Sequence, residues 1–203
     1  MFKQARSERT YTGLLTSAAR LFAELGYDAT QTPQIAREAG VATGAFYRYF
    51  DDKRQTFLEV MELRLAQLMT DIVGELSPAR LANPGSPRDS IDTVLGALFT
   101  HVRKHAALQR VFLSMSYRDA DVMAMRIRFE SQGIEVLSMA IENMISREVV
   151  PHARAAAVVI LATVLEIAAD STGIMPARSR GVGEEELRVA LREMIYRYLY
   201  PSG

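Results

Sequence analysis

The chain has no cysteine, no tryptophan, only three histidines and no excess of either charge. Without cysteine there is neither a disulfide framework nor a thiolate zinc site. His101 and His105 stand four apart, a spacing that can hold a metal. They lack the acidic neighbour of an H-E-x-x-H pair, and only His152 remains as a third ligand, so no metal centre is expected and they read as surface histidines. A balance of 24 basic against 24 acidic residues gives no global electrostatic case for binding nucleic acid, so any such signal must be local. No apolar run reaches the roughly 20 residues of a membrane span. The most hydrophobic stretch, AAAVVILATVLEIAAD at 155–170, is interrupted by Glu166 and closed by Asp170 and reads as a buried helix. The opening MFKQARSERTYTG lacks the apolar segment of an export signal, so a cytoplasmic location is expected. No glycine-rich phosphate loop, nucleophile elbow or paired catalytic constellation occurs, so neither an enzyme nor a cofactor is expected.

What is present is helical. With 203 residues, 49% of them apolar, a sizeable core is available. Leu14, Leu15, Ala18, Leu21, Phe22 and Leu25 mark one face of a helix that Gly26 is placed to stop. A short helix follows, with Thr32 as cap, Pro33 in its first turn and Gly40 at its end. Thr43 then caps a third segment, GAFYRYF, before Asp51 and Asp52 open the next helix. Two short helices joined at a glycine bend predict a helix-turn-helix. Ile35, Ala36, Ala39, Val41, Phe46 and Phe50 would face inward, leaving Tyr47, Arg48 and Tyr49 largely outward, where a partner and not the core meets them. Within residues 1–50, six basic residues (Lys3, Arg6, Arg9, Arg20, Arg37, Arg48) stand against four acidic ones (Glu8, Glu24, Asp28, Glu38), a local excess of +2.

A long helix is predicted from Lys53 to Leu76, then a linker, SPARLANPGSPRD. Helical segments follow over roughly 90–105, 107–117, 120–149, 152–173 and 184–200, and no segment alternates with period two. The fold class is therefore all-α.

The stretch GYDATQTPQIAREAGVATGAFYRYFDDKRQTF at 26–57 resembles TetR-type transcriptional regulators. The shared pattern runs in order from the helix-ending Gly26 through A-T, I-A, A-G-V and G-x-hydrophobic-Tyr to a lysine, and it covers about residues 10–60. The resemblance implies an N-terminal three-helix helix-turn-helix DNA-binding domain, residues 1–52, and a C-terminal helical ligand-binding and dimerisation domain, residues 53–203. It implies phosphate contacts from Tyr47, Tyr49 and Lys53, and a homodimer, with no membrane, on a double-stranded DNA operator released by a small-molecule effector. Two departures stand out. Gln31 and Thr32 replace the usual Thr or Ser followed by an aliphatic residue, which moves the expected cap to Thr32, and Gly44 and Ala45 offer no side-chain hydrogen bonds to bases.

From the residues themselves, Arg48 alone has the fork that reads guanine, with Gln34 and Thr43 as weaker base contacts. Met61, Leu65, Leu68, Phe99, Phe112, Met115, Met125 and Phe129 are the candidate apolar lining of an effector pocket, or plain core. Glu166 and Asp170, four apart on an apolar helix, need a partner: a ligand group, an arginine, or water at a dimer seam. Leu161, Leu165, Leu187, Leu191, Met194, Ile195 and Tyr198 are the expected dimer surface, in line with the four-helix interface that the resemblance implies. The alternative from another class is a helical small-molecule carrier whose N-terminal motif does not work on DNA.

Overall fold

Gly26 closes the first helix by adopting φ +81°, in the left-handed region open to glycine and costly for other residues, and Gly40 turns the chain at φ +70° in the same way. In the computed structural model of the chain, residues 2–75, 86–171, 174 and 181–201 are described. Among them the elements are α1 (Phe2–Ala29, broken at Gly26), α2 (Thr32–Glu38), α3 (Thr43–Phe46), α4 (Lys53–Glu75), α5 (Pro87–Lys104), α6 (Ala106–Ser116), α7 (Ala120–Met144), α8 (Ala153–Ser171) and α9 (Glu184–Leu199). The all-α reading holds, with no strand among the described residues. Most of the expected linker, and most of the loop before α9, lie outside them. The linker's last residues belong to α5, where the Ser86 hydroxyl accepts from the Asp89 N–H and the Asp89 carboxylate accepts from the Ser86 N–H.

The chain divides into two compact units, residues 1–66 with 107–125 and residues 67–106 with 126–203. α4 and α7 each contribute residues to both units. In the first unit Leu14, Ala18, Phe22, Ile35, Ala36, Phe46, Phe50 and Phe57 form the core. Phe22 meets Phe57 edge-on with ring centres 5.2 Å apart, a geometry that suits the positive edge and negative face of aromatic rings. The buried Thr30 hydroxyl donates to the Gly26 carbonyl at 2.7 Å and so seals the end of α1.

In the second unit α5 and α9 run together. Arg188 of α9 reaches Asp92 of α5 at 2.7 Å, and the Arg88 guanidinium lies over the Tyr196 ring at 3.9 Å. Three glutamates, Glu184, Glu185 and Glu186, occupy the first turn of α9, where the helix dipole favours negative charge.

Candidate nucleic-acid interface

The helix-turn-helix is built as its pattern implies, with differences at both caps. Gln31, not Thr32, precedes α2, and its N–H donates to the Gln34 side-chain oxygen at 2.8 Å. Gln34 is therefore engaged and half-buried, less open to bases than expected. Ala42, not Thr43, precedes α3, which spans only four residues, so Tyr47, Arg48 and Tyr49 sit on the turn that follows it. Thr43 is exposed and Ala45 half-buried. Gly44 is also exposed, and a Cβ there would meet nothing within 4 Å, so its own fold has no need of glycine at this place.

Phe46 and Phe50, both buried, hold this turn in the core, Phe50 stacking on Tyr11 of α1, and leave Tyr47 55% exposed. The Tyr47 and Thr32 hydroxyls share a hydrogen bond of 3.0 Å, which joins the start of α2 to the end of α3. Tyr49 differs from expectation. It is half-buried, its hydroxyl shares a 3.0 Å hydrogen bond with Ser7, and its ring lies 6.2 Å from that of Tyr11. Lys53 also has work within the fold: Nζ donates to the Tyr27 carbonyl at 2.8 Å and lies 4.4 Å from the centre of the Tyr27 ring. It satisfies carbonyls left open at the end of α1.

Arg20 is tied to Glu24 and Glu38, which takes one cation and two carboxylates out of the local count for residues 1–50 and leaves 5 − 2 = +3. Arg6, Arg9, Arg37 and Arg48 are exposed and make no ion pair among the described residues. The free charge of this unit is thus more basic than its total.

Tyr11 is a residue that the sequence reading passed over. Its hydroxyl donates to Glu59 and its ring stacks on Phe50, 5.5 Å away. The hydrogen bond to the Glu59 carboxylate, with burial adding, pushes the phenol up to about 12. One helical turn before Leu14 and Leu15, it continues the buried stripe, and that spacing was available to find it.

A second missed set ties α4 to the start of α7 within the same unit. Arg54 donates to both oxygens of Asp119, at 2.5 and 2.8 Å, and also to Asp121. Asp119 Oδ1 accepts from the backbone N–H groups of Asp121 at 3.0 Å and Val122 at 3.2 Å, as an N-cap does. Arg118 holds Asp28 at 2.8 and 3.1 Å. The Arg54 guanidinium, helped by the two N–H groups and opposed by burial, holds the Asp119 carboxyl below the usual carboxylate range. Since the folded value lies below the unfolded one, this contribution is complete above the ordinary carboxylate value of about 4 and fades as the pH falls through the depressed value. Asp119→Ala is expected to cost about 1 kcal/mol at pH 7 as a lost cap, lowering the unfolding midpoint by roughly 2–4 °C. The gap should narrow by pH 3 in thermal unfolding followed by circular dichroism; an equal gap at both pH values contradicts the role given to the carboxylate.

In the second unit an apolar cavity of about 150 Å³ lies among α4, α5, α7, α8 and α9. Of the expected pocket residues it is lined by Phe129 alone. Met61, Leu65, Phe112, Met115 and Met125 are buried core of the first unit, and Leu68 and Phe99 are buried in the second without lining the cavity. Helical spacing shows that such residues point inward but not which part of the interior stays empty. Glu166 is exposed and Asp170 half-buried, and neither lines the cavity, so the cost of burial assumed for Glu166 does not arise.

Leu161 and Leu165, expected on a dimer surface, line the cavity. Leu191 and Ile195 are buried within the chain and Leu187 is half-buried. Of the expected dimer surface Met194 and Tyr198 on α9 are open, 47% and 52% exposed, and on α8 the apolar residues exposed are Val158 and Val159, 44% and 63%. His101 is also not a surface residue: it is buried, with Nδ1 3.8 Å from Asp71 Oδ2 and its ring 4.8 Å from that of His105. No group of three metal-ligating side chains occurs among the described residues.

A short-helix pair presenting exposed arginines and a tyrosine above an aromatic core has the form of a helix-turn-helix DNA-binding domain. Residues 14–60 match the family described as bacterial regulatory proteins, tetR family, so this part of the chain is similar to the N-terminal domain of TetR-type regulators. The HTH-type transcriptional regulator AcrR of Shigella flexneri is 32% identical over 111 residues, 52% of this chain and 49% of AcrR, so the match spans about half of each. The A-factor receptor protein of Streptomyces griseus is 25% identical over 214 residues, covering 100% of this chain and 66% of the receptor. A transcriptional regulator from Rhodococcus superposes with a TM-score of 0.73 at 21% identity, covering 94% of this chain and 96% of that one, a likeness of fold. No described helix is long and apolar enough to cross a membrane.

Proposed function

We propose that the chain is a homodimeric repressor that holds a two-fold symmetric operator through α2, α3 and the turn after them, and releases it when a small molecule binds. The observation that carries the DNA-reading part is Arg48: exposed, without an ion pair among the described residues, and set on a turn fixed by the buried Phe46 and Phe50. A guanidinium held so can give two parallel hydrogen bonds to guanine O6 and N7. Tyr47, Tyr49 and Lys53 then meet phosphates, Lys53 by leaving or sharing the Tyr27 carbonyl. Gly44 and Ala45 act through smallness, letting the duplex approach the backbone. Gln34 and Thr43 lie at the margin of the base contacts, and Thr32 acts through Tyr47.

Two-fold symmetry is the economical way to read successive major grooves, and it needs a self-complementary surface. Val158, Val159, Met194 and Tyr198 supply one, with Leu187 at its edge. Ligand response draws support from the apolar cavity and from the name of the A-factor receptor, a relative along the whole of this chain. A ligand that fits only the arrangement with badly spaced reading heads shifts the population off DNA.

Arg48→Ala should cost about 1–3 kcal/mol of operator binding and relax preference at one position of each half-site, whereas Tyr47→Phe should weaken all sequences alike. Binding of both variants to a panel of single-base operator changes checks this. Uniform loss from Arg48→Ala, with the base preference intact, would refute its reading role.

A further inference from the structure

The cavity in the second unit says something about what can enter it. Among the described residues its lining carries no charged side chain, and Ser90 and Tyr200 alone of these bring hydroxyl groups; the rest is aliphatic, aromatic or thioether, as with Val94, Leu137 and Met144. Two arginines of the same unit are committed elsewhere, Arg188 to Asp92 and Arg103 to Glu184. At about 150 Å³ the space matches the apolar cavity size known to stay dry and to accept benzene. Water gains few partners from such walls, and a carboxylate or ammonium group entering would lose its hydration without a counter-charge. Burial pushes the Tyr200 phenol above its ordinary value, so it stays neutral and can offer one hydrogen bond.

We infer that the cavity takes a small, uncharged, mainly hydrocarbon molecule, of about the bulk of one aromatic ring, with at most one hydrogen-bonding group. This names the effector class of the proposed regulator and rests on that reading only for its consequence on DNA. A fatty-acid carboxylate is disfavoured, since the described lining offers it no counter-charge.

Calorimetric titration of the full chain at pH 7 with toluene, benzoate, benzylamine and octanoate tests the inference. Toluene should bind, and at least about 100-fold more tightly than each charged probe. Ala140→Leu, which places bulk on the cavity wall, should abolish toluene binding while circular dichroism shows unchanged helix content. A second readout guards against a fold effect: toluene should raise the unfolding midpoint of the native chain and leave that of the variant unmoved. Benzoate or octanoate binding as tightly as toluene would overturn the inference, as would toluene binding that survives Ala140→Leu. Operator release is measured apart from these. Toluene that binds but leaves the operator complex intact upholds the ligand class and removes the regulatory reading. Absence of toluene binding in a chain that still holds operator removes the ligand class alone.

Discussion

Val159→Asp is expected to leave a folded chain that is monomeric at micromolar concentration and binds operator about 1,000-fold more weakly than the parent. Val159 is 63% exposed in the single chain, so a carboxylate there costs the protomer little. Within a two-fold interface built on the exposed apolar residues of α8 and α9 the substitution occurs twice, and each charge is taken from water into an apolar contact. The loss on DNA follows from dimer geometry. One reading head has little more than the sequence-independent affinity of a basic surface, and specific complexes exceed that affinity by factors of about 10³ or more. Sedimentation velocity and fluorescence anisotropy on one operator duplex give both numbers. Unchanged helix content separates this outcome from misfolding. A variant that remains dimeric and holds operator as the parent does would mean that the exposed apolar stripe of α8 and α9 is not the assembly surface.

The choice of Val159 over Leu161 shows where sequence reading reaches its limit. Hydropathy along α8 is nearly uniform, because alanine, valine, isoleucine and leucine follow one another from Ala155 to Leu165 with Thr163 the one polar interruption. A stripe can be read from a contrast of apolar against polar positions, and here no contrast exists. Leucines were the natural choice for an interface, yet Leu161 and Leu165 border the cavity while the valines face outward. The N-terminal helices were legible for the opposite reason. Gly26 and Gly40 mark the turns with positive φ, and the aromatic and aliphatic positions of α1 to α3 stand apart from charged neighbours. Even there, the site was only partly visible. That Tyr47 stays exposed follows from Phe46 and Phe50 sharing a face, but the Tyr49 contact with Ser7 spans 42 residues and leaves no local trace. The Arg54 pair with Asp119 spans 65 and is equally silent. Caps shifted by one residue, from Thr32 to Gln31 and from Thr43 to Ala42, reflect how weakly a single side chain fixes a helix boundary.

The central claim is that this chain reads DNA as a symmetric pair through a small set of arginines and tyrosines on an otherwise neutral protein. Selection of bound sequences from a random duplex pool, followed by titration of the recovered site against salt, tests it most directly. Each protomer offers Arg6, Arg9, Arg37, Arg48 and Lys53 near the reading head, so a dimer neutralising six to ten phosphates should lose about 10³- to 10⁵-fold in affinity between 50 and 200 mM salt. The expected result is a palindrome with half-sites one or two helical turns apart and that steep dependence on salt. A folded dimer that enriches no motif at low salt, or that binds with no dependence on salt, would contradict the claim and favour a helical carrier of small apolar molecules.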